Sequence, residues 1–277
     1  MYCCNICNGD FYMGNIIRIG ALISGGGTNL QAVIDSCELG KTDGKIVFAG
    51  SDNAGAKGLE RAAKHNIPTF VVDYASIIGN FKKDPDKMKL PEDFDEKAVS
   101  SKLSIFSEDE NLQKIKTFVR TRVVAEAMLL EKMEPYPFDL LILAGFMRNL
   151  TPYFIDRINT DSENPRIMNI HPALLPAFPG VDGYGDTFRY GAKVGGCTVH
   201  FIDYGEDSGP IIGQRAFEIN KDDTIESIKK KGLALEWELY PECIRLFAQK
   251  RLKIISVINN RQNGEKYSRK VVKILDP

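Results

Sequence analysis

The sequence has no apolar run long enough to cross a bilayer, no surplus of either charge and only three histidines among its 277 residues. The first absence removes a membrane-spanning helix from the expected organisation. The second, 36 basic residues against 37 acidic, leaves no net field to draw the chain to nucleic acid or an anionic lipid surface. Small molecules are the expected partners, with neither nucleic acid nor membrane among them. Residues 1–15 lack the basic and apolar regions of a secretory signal, so the expected location is the cytoplasm. Cysteine is sparse as well. Cys37, Cys197 and Cys243 are scattered as buried reduced thiols would be, and Cys3, Cys4 and Cys7 crowd the start. Cys4-Asn5-Ile6-Cys7 has the spacing of half a zinc site, but no second pair follows and the nearest histidine is the distant His65, so no metal is expected. What the chain does have is 43% apolar residues, enough for a large core and too many for a disordered chain.

From residue 16 the apolar pattern becomes regular. Ile16-Ile17-Arg18-Ile19-Gly20-Ala21-Leu22-Ile23 reads as a buried strand, ending in Ser24-Gly25-Gly26-Gly27. A helix is expected at once, with Thr28 or Asn29 as its N-cap and Leu30, Val33, Ile34 and Cys37 on one face. Strands over 45–49 and 69–73 with a helix over 56–65 between them continue the βαβ alternation. That alternation predicts a Rossmann-like α/β fold: a mostly parallel sheet with helices on both faces. The stretch 74–109 is rich in charge and proline and offers little to bury, so an irregular surface insertion is expected there. A helix over 112–133, strands over 139–144, 166–171, 197–203 and 211–219, and a helix over 224–249 kinked at Pro241 complete the pattern. The expected organisation is one domain over 16–255, with an extension at 1–15 and a tail at 256–277.

Three places carry residues suited to chemistry. The glycine loop Ser24-Gly25-Gly26-Gly27-Thr28-Asn29 joins a strand to a helix start, where unpaired N–H groups favour a phosphate. It is not a P-loop, and Leu30 stands where a dinucleotide fingerprint has its third glycine, so a monophosphate fits better. In Asn169-Ile170-His171, strand alternation sends the amide and the imidazole to one side, at the C-terminal end where open α/β sheets bind ligands. An amide stabilises an oxyanion, and a histidine gives or takes a proton near neutrality. The third place is the acidic loop Asp203-Tyr204-Gly205-Glu206-Asp207, whose carboxylates suit orienting His171 and favouring its protonated form. His200, inside a strand, reads as structural. Asp52 reads either as a ribose ligand of a dinucleotide fold or as a helix cap.

Taken together these stretches resemble the glycinamide ribonucleotide transformylases, the folate-dependent formyltransferases of purine synthesis. The resemblance runs over about 16–254. It rests on the glycine loop through Gln31, on Gly58-Leu59-Glu60-Arg61-Ala62-Ala63, on Leu143-Ala144-Gly145-Phe146-Met147-Arg148, on 169–180 and on Gly196-Cys197-Thr198-Val199-His200-Phe201. It implies an enzyme that passes the formyl group of 10-formyltetrahydrofolate directly to the amine of glycinamide ribonucleotide, without a metal. By the resemblance Asn169, His171 and Asp207 are catalytic, Gly27, Thr28 and Asn29 hold the substrate phosphate, and Glu236 holds the glycinamide amine. The folate is expected along Met147, Arg148, Asn149 and Leu150, against Asn169 and the loop Asp203, Tyr204, Gly205, Glu206 and Asp207, with Arg122 near its carboxylate end. Asn149 departs from the family's usual apolar residue, the stretch 74–109 is longer than the family leads one to expect, and a slip in alignment puts Arg120 in the place of Arg122.

Other readings stay open at this level. A formyltetrahydrofolate hydrolase shares the Asn-x-His and Asp pattern but usually has an N-terminal regulatory domain and needs no phosphate loop. A methionyl-tRNA formyltransferase is expected to add a basic C-terminal domain. A nicotinamide-dependent oxidoreductase would use Asp52 on a ribose, and a folate- or nucleotide-binding protein without turnover would keep the same pocket.

Overall fold

Strands β1 (Ile17–Ile23) and β4 (Leu140–Leu143) lie side by side in the middle of a seven-stranded sheet, and their side chains alternate between two cores. Ile19, Ala21, Ile23, Leu140 and Ile142 face one core, while Leu22, Leu141 and Leu143 face the other. A strand buried on both faces needs a continuous apolar run, which is why these segments carry almost no polar residue. The computed structural model describes residues 16–107 and 109–276, so Cys3, Cys4 and Cys7 lie outside the described residues.

The first core is covered by α1 (Thr28–Glu38), α2 (Lys57–Lys64) and α8 (Ile225–Ala248). The second is covered by α3 (Tyr74–Lys83), α5 (Leu112–Met133) and α6 (Pro152–Ile158). With β2 (Gly44–Ser51), β3 (Thr69–Val71), β5 (Ile167–His171), β6 (Val194–Phe201) and β7 (Ile211–Glu218), the order across the sheet is β3-β2-β1-β4-β5-β6-β7. Pairing is parallel from β3 to β5 and antiparallel from β5 to β7. The parallel pairs are joined through crossover helices, whereas β6 and β7 need only a short loop. Between β1 and β4 the chain changes direction across the sheet, and the C-terminal ends beside that reversal are where such folds open a crevice.

Three expectations change. The stretch 74–109 is not irregular: it forms α3, a 3-10 turn at Pro85–Lys87 and α4 (Glu96–Lys102), and Asp73 and Asp95 cap the two α-helices by accepting from Ser76 N–H and Ala98 N–H. Short helices of this kind are set by caps and by a few contacts such as Val99 on α5, which leaves weak periodicity in the sequence. The N-cap of α1 is Gly27 rather than Thr28 or Asn29. The segment beyond 255 continues a hairpin of β8 (Leu252–Asn260) and β9 (Lys266–Ile274), paired antiparallel over nine positions. Pro241 lies inside α8, within the long helix expected there. Next to it the Tyr240 hydroxyl sits 3.1 Å from the Leu143 carbonyl and 2.9 Å from the Met168 carbonyl, fixing α8 against the ends of β4 and β5.

Candidate active site

On β5, Met168 and Ile170 point into the first core and Ile167 into the second, so Asn169 and His171 emerge on the side of Ile167. They stand at the C-terminal end of the strand and line a cavity of about 510 Å³, a volume suited to a small ligand. The antiparallel register sets His200 on β6 directly opposite Asn169. The loop after β6 turns back over the strand ends, with Asp207 in a left-handed conformation at φ 49°. Its carboxylate Oδ2 lies 3.1 Å from His171 Nδ1 and accepts the Gly180 N–H at 2.8 Å. His171 Nε2 lies 2.8 Å from the Phe178 carbonyl, so both ring nitrogens face acceptors.

Burial by itself would raise the Asp207 carboxyl, but the His200 contact, the charge of His171 and the Gly180 amide together hold it below the usual carboxylate range. Asp207 is thus a fixed negative charge behind His171. His200 lies just outside the cavity wall and touches both partners. Its Nδ1 sits 2.9 Å from the Phe201 carbonyl, and its Nε2 is 3.2 Å from Asn169 Nδ2 and 3.6 Å from Asp207 Oδ1. That nitrogen accepts from the amide when unprotonated and donates to the carboxylate when protonated. The strand position that made His200 look structural is the position from which it braces Asn169.

The opposite wall comes from α1, α7 (Gly183–Arg189) and α8. Glu236 is buried on α8 one turn before Tyr240, and its two oxygens accept from Asn29 Nδ2 at 2.6 Å and from the Tyr184 hydroxyl at 2.5 Å. Burial raises its carboxyl above the ordinary value despite these two donors. Tyr184 has no counterpart in the sequence reading, because α7 is a short helix in a glycine-rich stretch. The one signal is Gly232, where an added Cβ would come within 2.1 Å of the Tyr184 ring, so the helix must be bare there for the phenol to reach Glu236. Asn29 Oδ1 is buried without a partner among the described residues and remains an unused acceptor beside the cavity.

The glycine loop leaves an open helix start next to the cavity. Gly27 sits at φ 67° and a Cβ there would be 2.5 Å from Gly58 Cα, so only glycine lets the loop pack on the start of α2. No side chain caps α1 and its first turn holds no acid, which leaves the first N–H groups and the positive pole of the helix open. Arg61 reaches the same loop, donating from Nε to the Gly26 carbonyl at 2.9 Å. Of the three expected phosphate residues Asn29 lines the cavity, whereas Thr28 lines a neighbouring groove between α1 and α8 together with Arg61.

The expected folate strip holds together in large part. Met147, Arg148, Asn149 and Leu150 line the cavity with Arg122, Asp203, Gly205, Glu206 and Asp207. Met147 N–H donates to the Ser24 hydroxyl at 2.8 Å, tying this strip to the glycine loop. The Asn149 side chain reaches Glu206 Oε1 at 3.3 Å, so this polar residue bridges to the acidic loop. Asp203 spends its Oδ1 on Gly205 N–H and the Ser208 hydroxyl, which shapes the turn. Tyr204 is turned away: its hydroxyl donates to Asp156 at 2.5 Å and its ring lies under Lys102, so its side chain is not a wall of the cavity. Asp52 neither caps α2 nor stands free for a ribose. Its buried carboxylate receives Arg148 Nε at 2.5 Å, and Ala56 is the N-cap of α2. Arg120 and Arg122 differ in their pairing. Arg120 donates twice to Glu96, whereas Arg122 faces the cavity with a buried Nε that has no partner among the described residues.

A family model described as formyl transferase matches residues 17–244. Phosphoribosylglycinamide formyltransferase of Bacillus subtilis (strain 168) is 30% identical over 228 residues, covering 82% of this chain and 93% of that protein. The trifunctional purine biosynthetic protein adenosine-3 of Chironomus tentans is 34% identical over 237 residues, 83% of this chain but 14% of its own much greater length. Among solved structures, glycinamide ribonucleotide transformylase 1 from Symbiobacterium toebii aligns with a TM-score of 0.67 and 37% identity, covering 95% of this chain and 96% of that one.

Proposed function

The chain belongs to the formyl transferase family, in its phosphoribosylglycinamide formyltransferase group, and on that footing we propose that it moves the formyl group of 10-formyltetrahydrofolate to the amine of glycinamide ribonucleotide. The observation that carries this reading is the Asn169, His171 and Asp207 group, with Asp207 Oδ2 3.1 Å from His171 Nδ1 on the wall of the cavity. The neutral amine attacks the formyl carbon, forming a C–N bond and a tetrahedral oxyanion. Asn169 donates to that oxygen, the ring of His171 stabilises its charge from alongside, and Asp207 supplies the countercharge of the imidazolium. The bond from carbon to N10 of the folate then breaks. The proton lost by the amine passes through the Asp207 and His171 pair to N10, leaving tetrahydrofolate and the formylated amide.

Gly27, Thr28 and Asn29 hold the substrate phosphate on the open turn of α1, and Glu236 holds the glycinamide amine. Along Met147 to Leu150 and the acidic loop of Asp203, Gly205, Glu206 and Asp207 lies the folate, with its carboxylate end at the guanidinium of Arg122. Tyr204 contributes backbone only. Holding both substrates in line contributes much of the acceleration, and each well-placed donor to the oxyanion adds about 3 kcal/mol. The cytoplasm is the proposed location, and small molecules are the proposed partners. The domain is proposed to span 16–255, with its end inside β8 and the rest of the hairpin beyond it.

Initial rates of folate release, with and without glycinamide ribonucleotide, test the reading. Release that requires the amine substrate is the expected result. Release at the same rate without it moves the assignment to hydrolysis.

A further inference from the structure

Glu126 has no part in the chemistry just described, yet it is the most deeply buried acid among the described residues, with no accessible surface. It lies on α5 one turn after Arg122, so the two residues share a face of the helix. Both of its oxygens are engaged by one residue of another segment. Oε1 accepts the Thr151 N–H at 2.7 Å and Oε2 accepts the Thr151 hydroxyl at 2.5 Å. Thr151 directly follows Leu150, the end of the strip that lines the cavity, and it is also the N-cap of α6, where its hydroxyl accepts the Tyr153 N–H at 3.2 Å.

We infer that Glu126 is a positioning residue of the formyl-donor pocket, its charged carboxylate tying the Met147–Leu150 strip to the helix that carries Arg122. The inference rests on reading that strip and Arg122 as the donor's binding wall. The charged form is the one that fits. A carboxylate accepts both Thr151 hydrogens, while a neutral carboxyl brings a hydrogen of its own. To receive it, Thr151 would have to accept from Glu126 and Tyr153 together and leave its own hydroxyl hydrogen without an acceptor in a fully buried place. Protonation also takes away a negative charge that acts on Arg122.

The charged and titratable groups around Glu126 come from three elements and the loop behind them. Arg122 lies on α5, Arg157 and Tyr153 on α6, Tyr74 on α3, and the Asp52–Arg148 pair stands beyond Tyr74. Burial pushes the Glu126 carboxyl up to about 7, against the pull of the two Thr151 donors and of Arg122 and Arg157. A donor that binds the charged form draws this value down. Donor affinity is therefore full above neutrality and lost as pH falls through about 7.

The test is the KM for 10-formyltetrahydrofolate and for glycinamide ribonucleotide between pH 5.5 and pH 9, on the parent chain, Glu126→Gln, Glu126→Asp and Thr151→Val. For the parent, the donor KM is expected to rise about tenfold from pH 8 to pH 6 beyond any change in Glu126→Gln, with the amine-substrate KM unchanged. Glu126→Gln is expected to hold a raised donor KM at every pH, with kcat at saturating donor within about threefold of the parent. Thr151→Val follows Glu126→Gln, and Glu126→Asp recovers part of the pH dependence. A donor KM in Glu126→Gln equal to the parent's, with the same pH profile, overturns the inference. Should Glu126→Gln not fold, Thr151→Val carries the same decision. Parent chain that shows no turnover with both substrates refutes the proposed function itself, whereas turnover without the pH-linked donor KM refutes only the role of Glu126.

Discussion

Replacing Asp207 with asparagine keeps the side chain's shape and removes only its charge. The Gly180 N–H still finds an oxygen at the 2.8 Å position, so the left-handed turn that presents residue 207 is preserved. What is lost is the attraction between the carboxylate and the cationic ring of His171, now 3.1 Å apart at their nearest atoms and almost screened from water. With charge centres about 4 Å apart and an effective dielectric near 20, that attraction is on the order of 4 kcal/mol. Charged against the transition state, that loss converts at about 1.4 kcal/mol per decade to roughly a thousandfold in turnover. The assay is the steady-state rate at saturating concentrations of both substrates, together with their KM values, which are expected to move little. Turnover within tenfold of the parent would refute the argument that a fixed charge behind His171 drives the reaction.

Two further predictions concern binding. Gly27→Ala places a methyl 2.5 Å from Gly58 Cα at a φ that side chains avoid, so the KM for glycinamide ribonucleotide is expected to rise at least tenfold with a lowered melting temperature. An unchanged KM would show that the loop amides do not hold the phosphate. Arg122→Gln is expected to raise the donor KM about tenfold or more while Arg120→Gln, which only frees Glu96, leaves it alone; the reverse pattern in binding titrations would exchange the two arginines.

Much of this site is written in local pattern. Alternation along 167–171 places Asn169 and His171 together because each neighbour, Ile167, Met168 and Ile170, is apolar and must enter a core. The open helix start follows from a glycine loop between a strand and a helix. Other features arise only when distant segments meet. The Asp52–Arg148 pair joins residues 96 positions apart, and nothing near either one announces the other. Tyr184 and Glu236 meet across Gly232, a position whose smallness has no local reason. Glu126 sits in a helix whose sequence gives no sign that one of its acids is fully buried, since the burial comes from α6 packing over it. The same holds for Tyr204, where the loop was legible as a site element but the direction of its ring depends on Asp156 and Lys102.

The most direct test of the central claim follows the formyl carbon itself. With 10-formyltetrahydrofolate labelled with carbon-13 in the formyl group and glycinamide ribonucleotide as acceptor, mass spectrometry of the products reads where the label goes. Direct transfer predicts one labelled formyl group on the amine of glycinamide ribonucleotide for each tetrahydrofolate released, and none as free formate. Label recovered as formate, in the same yield whether or not the amine is present, would contradict it.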